Sequence, residues 1–299
     1  MPHHVLTLLD IPSGELPGLI SRGQEMKAQR TVSKILENKT LVLVFEKSST
    51  RTRVSFEVAV NELGGRSLFM TPAESQLGRS EPLKDTARCL SRYGHGMIVR
   101  TFAQTNLLEL TRFAHIPVVN ALSDLYHPCQ VLSDLMTIAE RSSGLSGLTI
   151  SWIGDGNNMA HSWINAARQL PFRLRMATPA GFGPREDIVQ EAIQAGADID
   201  LGHDPSAAVQ EADFINTDAW FSMGQEDEER RRTRAFAHFQ VNSRLLEQAP
   251  AGARVLHCLP AHRGQEISEQ VLESERSLIW DQAENRLHMQ KALLEWIYS

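Results

Sequence analysis

Cysteine is scarce, neither charge sign dominates, and long apolar runs are missing, and each shortage narrows what the chain can be. Three cysteines in 299 residues, Cys89, Cys129 and Cys258, are too few and too scattered for a disulfide framework or a cysteine-rich zinc site. A reducing, cytoplasmic setting is expected. No stretch approaches the roughly 18 uninterrupted apolar residues that a membrane-spanning helix needs. The opening MPHHVLTLLDIPSG has no basic start, long apolar core or small-residue cleavage site, so no secretory leader is expected. A net charge of −6, with acids and bases mixed throughout, argues against a nucleic-acid protein that relies on a basic face. Repeats and low-complexity tracts are absent too. What remains is a globular composition, 42% hydrophobic, at a length that suits about two domains.

Short apolar runs alternate with helix-length segments from end to end. Segments 41–45, 97–101, 117–120, 148–153, 174–178, 213–216 and 255–259 read as strands. Helical patterns lie between most of them, including 131–140 and 187–195. Such alternation predicts an α/β fold of βαβ units around parallel sheets. The best internal boundary is the small-residue stretch from Ser142 to Gly147. Two doubly wound domains are therefore expected, 1–141 and 142–282. Ligands of open parallel sheets sit beyond the carboxyl ends of strands, and clefts between domains are favoured sites. Functional residues should then follow strands in both halves.

The densest polar motif is Ser48-Ser49-Thr50-Arg51-Thr52-Arg53, between the run 41–45 and a helical stretch ending at Gly64-Gly65. Phe56, Ala59, Val60 and Leu63 follow an i, i+3, i+4, i+7 pattern, so the helix has one buried face and the motif is its exposed start. A helix start offers unsatisfied N–H groups and the positive end of the macrodipole. Guanidinium forks beside it suit phosphate or a polarised carbonyl. The same run also reads as an ordinary Ser/Thr cap with solvated arginines.

Other polar groups fall after the remaining strands. Arg100 ends segment 97–101, as either a cleft cation or a surface ion-pair residue. In His127-Pro128-Cys129-Gln130, Pro128 suits a first helical position, and Leu132, Leu135, Met136 and Ala139 give that helix a buried face. His127 and Gln130 at its start can donate to a carbonyl oxygen that gains charge; Cys129 reads as packing. Gly154-Asp155-Gly156-Asn157-Asn158 is half a dinucleotide fingerprint, with Met159 at the third glycine position. It reads better as a turn presenting Asn157 or Asn158, or as a cap. Asp218 and Ser222, four residues apart before Gly224, can grip an ammonium group. The charged run from Gln225 to Arg234 reads as a solvated helix face. His257-Cys258-Leu259-Pro260 ends the last strand; Cys258 can be simple packing. His257, Cys258 and His262 lack zinc spacing, so no metal site is expected. Arg286 lies near the start of a last helix whose buried stripe is Met289, Ala292, Leu293 and Trp296.

Together FEKSSTRTRVSFE, HPCQ, GDGNN, DAWFSMG, HCLP and DQAENR resemble the aspartate/ornithine carbamoyltransferase superfamily, from about residue 41 to the C-terminus. The SMG loop, with an aspartate four residues before its serine, points to members that act on ornithine. The resemblance implies two α/β domains joined by interdomain helices: a carbamoyl-phosphate domain (1–141), an amino-acid domain (142–282), and a helix over about 283–299 packing back on the first. It implies that Ser49, Thr50, Arg51 and Thr52 bind the phosphate of carbamoyl phosphate. Arg100, His127 and Gln130 would contact its carbamoyl part, and Gln76 would reach a neighbouring subunit's site in a homotrimer or a multiple of trimers. Asn158, Asp218, Ser222 and Met223 would hold the α-carboxylate and α-ammonium of L-ornithine. Cys258, Leu259 and Arg286 would lie by the reacting nitrogen and carbamoyl group, with Cys258, Arg100, His127 and Arg286 the catalytic groups. The implied reaction makes citrulline and phosphate, in arginine biosynthesis, without a cofactor. After HCLPA the chain has His262-Arg263-Gly264, where many relatives differ, and this loop borders the amino-acid site. The alternatives are a carbamoyltransferase for another amine, such as putrescine or a modified ornithine, a nicotinamide-dependent oxidoreductase using the GDG turn, and a silent regulatory relative. The last is disfavoured because every chemical position is filled.

Overall fold

A computed structural model describes residues 3–72, 81–221 and 226–299. In chain order the elements begin with α1 (Leu16–Gln29), β1 (Thr40–Phe45), α2 (Thr50–Glu62), β2 (Arg66–Met70) and α3 (Leu83–Tyr93). They continue with β3 (Gly96–Arg100), α4 (Gln104–Phe113), β4 (Val118–Leu122), α5 (Pro128–Ala139), β5 (Thr149–Ile153) and α6 (Asn158–Gln169). Next come β6 (Arg173–Ala177), α7 (Glu186–Gln194), β7 (Asp198–Gly202), α8 (Pro205–Val209), β8 (Phe214–Thr217) and α9 (Glu226–Phe236). The last are α10 (Ser243–Leu246), β9 (Arg254–His257), α11 (Glu269–Leu272) and α12 (Ile279–Tyr298). The chain divides into two compact units, 1–136 with 284–299, and 137–283. Both breaks fall inside helices, α5 and α12, whereas the composition signal at 142 lies just after α5.

The first unit holds a parallel sheet in the order β2-β1-β3-β4. Leu41, Val42, Leu43, Val44 and Phe45 are all buried, so consecutive residues of β1 are covered on both faces, as in a parallel sheet flanked by helices. Val42, Val44, Met97, Val99 and Val118 pack with Ala87 and Leu90 of α3 and Leu107 and Leu110 of α4. The anticipated α2 stripe of Phe56, Ala59, Val60 and Leu63 is fully buried. Helix α12 is tied to the first unit by polar contacts: buried Lys291 donates to Glu62 at 2.5 Å and to the Thr31 carbonyl, while Arg22 pairs with Glu295 at 2.6 Å.

The second unit has a parallel sheet in the order β7-β6-β5-β8-β9. Ile153, Ile215 and Val255 from β5, β8 and β9 pack with Phe236, Val241, Leu245, Val271, Leu272 and Ile279. In each sheet the chain winds outward from a central strand and then reverses. Crevices therefore open beside the carboxyl ends of β1 and β3 and of β5 and β8. Of the four edge strands, β2 and β7 lie outside the seven segments anticipated above. RSLFM and DIDLG contain no buried residue, so neither forms the apolar run that marks a buried strand. Among the described residues no helix is long and apolar enough to cross a membrane.

Candidate active site

In the first unit the crevice beside β1 and β3 gathers the polar residues that follow those strands. Ser49 caps α2, its hydroxyl accepting from Thr52 N–H at 3.3 Å, so the N–H groups of the first turn face the space beyond β1. Thr50 and Arg51 are exposed there and Thr52 is buried. The two strand ends are joined through Glu46, whose N–H donates to the Arg100 carbonyl at 2.8 Å and whose carboxylate accepts from Thr101. Arg100 is the last residue of β3.

His127 and Gln130 sit at the start of α5, and Pro128 is its first residue. Both are buried with Arg286. Arg286 Nη2 donates to Thr52 Oγ1 at 2.8 Å and Nη1 to Gln130 Oε1 at 2.9 Å, which links α12, α2 and α5. Helix α12 begins at Ile279, so Arg286 lies two turns inside it and not near its start. Burial, reinforced by the positive Arg286 and Arg100, holds His127 well below the usual imidazole range. His127 is thus a neutral donor among cations, suited to an oxygen that gains negative charge. Burial pushes the Cys129 thiol up to about 12, in keeping with packing.

In the second unit the crevice between β5 and β8 brings Asp218 to the GDG turn. Asn157 caps α6, accepting from Met159 and Ala160 N–H, and its Nδ2 donates to Asp218 Oδ2 at 2.9 Å. Asn157, and not Asn158, thus supports Asp218, while Asn158 opens the helix beside it. Cys258 follows β9 and its thiol donates to Asp218 Oδ1 at 2.8 Å. Leu259 N–H donates to His257 Nδ1 at 2.8 Å, which leaves the proton on Nε2 facing Glu266 Oε1 at 3.0 Å. Leu259 itself stands at φ 58°, a left-handed conformation rare for leucine. Ligand atoms of Asp218, His257 and Cys258 lie within 4.8 Å of one another. Both ring nitrogens of His257 are already hydrogen bonded, so the cluster is built as a hydrogen-bonding group.

Sequence reading missed several partners. The run from Gln225 to Arg234 is not wholly a solvated face. Arg232 donates to Asp155 at 2.7 Å and to the Trp220 carbonyl at 2.7 Å, tying the GDG turn to the segment after β8. Burial raises the Asp155 carboxyl against the opposing pull of Arg232. The His262 ring stacks on Phe221 with centroids 5.8 Å apart. Gln76, Ser222 and Met223 lie outside the described residues.

Gly156 has a packing reason to lack a side chain. Its N–H donates to the Phe182 carbonyl at 2.8 Å, and a Cβ there would lie 2.1 Å from both Gly183 C and Pro184 N. Gly156→Ala is expected to cost about 3 kcal/mol, read as a lower urea midpoint, because backbone and not a side-chain tip must move. A loss below about 1 kcal/mol would contradict this packing account.

Comparison with known proteins finds relatives for both halves of the chain. Residues 3–140 match the family model described as the aspartate/ornithine carbamoyltransferase carbamoyl-P binding domain, and residues 146–297 match the Asp/Orn binding domain. The chain is 55% identical over 297 residues to the ornithine carbamoyltransferase of Oleidesulfovibrio alaskensis, covering 99% of each chain. It is 43% identical to the solved ornithine carbamoyltransferase from Pyrococcus furiosus, with a TM-score of 0.93 and coverage of 98% and 96%. The anabolic enzyme of that name from Campylobacter jejuni matches at 40% identity and TM-score 0.92, over 98% of each chain. With two matching models, full-length likeness and parallel sheets carrying these polar groups at their strand ends, the chain belongs to the aspartate/ornithine carbamoyltransferase family.

Proposed function

We propose that this protein transfers the carbamoyl group of carbamoyl phosphate to the δ-amine of L-ornithine, giving L-citrulline and phosphate in arginine biosynthesis. The observation that carries the reading is identity of 55% across essentially the whole chain to a relative bearing that activity's name. The geometry supplies suitable groups. The capped start of α2, with Ser49, Thr50, Arg51 and Thr52, is a cradle for the phosphate. Arg100, neutral His127 and Gln130 meet the carbamoyl part, and Arg286 stabilises the oxyanion that forms on attack. Asn158 and Asp218, with Ser222 and Met223, hold the amino-acid end of ornithine.

Chemistry begins when the δ-ammonium loses its proton. The free amine attacks the carbonyl carbon, a tetrahedral oxyanion develops, and phosphate leaves as the carbonyl reforms, taking up the proton that the attacking nitrogen sheds. No covalent enzyme intermediate is required. Cys258 faces the Asp218 carboxylate, whereas nucleophilic cysteines sit beside cations. Its role, with Leu259, is to orient the amine. Holding both substrates in attack geometry contributes much of the remaining acceleration.

The active form is a homotrimer or a multiple of trimers, with Gln76 completing a neighbour's phosphate site. Exposed Val54, Leu68, Tyr93, Phe102 and Leu108, all on the first unit, supply apolar surface for such an assembly. A cytoplasmic location suits three cysteines that form no disulfide among the described residues.

The test is carbamoyl phosphate offered with ornithine, putrescine, N-acetylornithine or aspartate, and the ureido product measured. Citrulline from ornithine is the expected result. Turnover of another amine without citrulline would overturn the proposal.

A further inference from the structure

One buried acid in the first unit has no role in the scheme above. Asp134 is fully buried in the middle of α5, where an uncompensated carboxylate is costly to desolvate. It also stands near cations proposed to receive an anionic substrate, where a negative charge opposes binding unless it has another task. Helical spacing puts Asp134 one turn beyond Gln130 on the same face. Its Oδ1 accepts from Gln130 Nε2 at 2.9 Å. Gln130 Oε1 accepts from Arg286 Nη1 at 2.9 Å, and Arg286 Nη2 donates to Thr52 Oγ1 at 2.8 Å.

The chemistry of these groups selects one arrangement. A carboxylate only accepts, and a guanidinium only donates and keeps its proton. The amide between them has one accepting end and one donating end. Turned over, Gln130 would set its NH2 against an Arg286 donor and its carbonyl against the Asp134 carboxylate. Two buried like-against-like contacts would then replace two hydrogen bonds.

We propose that Asp134 is a positioning residue for carbamoyl transfer: it fixes which end of the Gln130 amide faces Arg286 and so aims the Arg286 fork. The inference rests on the carbamoyl-transfer reading. Asp134 itself touches no substrate and acts through Gln130.

The experiment compares Asp134→Leu and Asp134→Asn with the wild type by steady-state citrulline formation and thermal unfolding. Leucine fills the space and removes the acceptor. Asparagine keeps the shape and can still accept from Gln130, but its own amide also tolerates the reversed arrangement. Asp134→Leu is expected to lose roughly a hundredfold in kcat/KM for carbamoyl phosphate, and Asp134→Asn roughly tenfold. In both, KM for ornithine stays within about twofold. A purely packing role would lower Tm and the active fraction while leaving both KM values unchanged, and that result overturns the inference. So does folded Asp134→Leu with kcat and both KM values within about twofold of wild type. If the leucine variant does not fold, Asp134→Asn decides alone, and wild-type kcat and KM for carbamoyl phosphate in it are disproof. Failure of the wild type to make citrulline would instead remove the underlying reading, so the two failures are distinguishable.

Discussion

Arg51→Ala is expected to lower kcat/KM for carbamoyl phosphate by about a thousandfold, the upper range for removing one charge-stabilising donor from an active site. The size of the effect follows from where the side chain stands. Arg51 is exposed in the first turn of α2, beside a helix start whose N–H groups already favour an anion. On the proposed reading its fork would supply charge-assisted bonds that strengthen as phosphate departs, so the loss should appear in kcat as well as in KM. Because the side chain is exposed, Tm should stay within about 2 °C of the wild type. That separation is why Arg51 is the better probe than Arg286. Arg286 is buried and hydrogen bonded to Thr52 and Gln130, so its removal would disturb folding and catalysis together. Kinetics within about tenfold of normal in Arg51→Ala would mean that the phosphate lies elsewhere.

Asp218→Asn should raise KM for ornithine by about a hundredfold and leave KM for carbamoyl phosphate within about twofold. Three donors converge on this carboxylate: Asn157 Nδ2 at 2.9 Å, the Cys258 thiol at 2.8 Å and Ala219 N–H at 2.8 Å. An amide in its place carries no charge for an ammonium group and turns its NH2 toward one of those donors. Measuring both substrate dependences separates loss of amine binding from general damage. An ornithine dependence identical to wild type would remove Asp218 from the amino-acid site.

Much of the fold was legible because its central strands are covered on both faces. A strand such as β1 is apolar at consecutive positions from Leu41 to Phe45, and that run stands out in the sequence. β2 and β7 hold no buried residue and carry no such run, and they escaped notice for that reason. The helix caps Ser49 and Asn157 were legible too, since caps use few residue types. What local pattern could not supply was pairing. Asn157 meets Asp218 across 61 residues, and Arg286 meets Thr52 across 234. Arg232 looked like one more charge in a solvated run until Asp155 and the Trp220 carbonyl were found beside it.

By itself the sequence determined the α/β class, the order of the polar motifs and the chemical types of group available, because burial and helix capping constrain residues locally. Tertiary structure decided which of those groups act together. It set Gln130 between Asp134 and Arg286, made Asn157 the support for Asp218, and placed Arg286 within α12 against Thr52. The physical reason is that hydrogen bonds between distant residues depend on how sheets and helices pack, and no spacing along one segment encodes that distance.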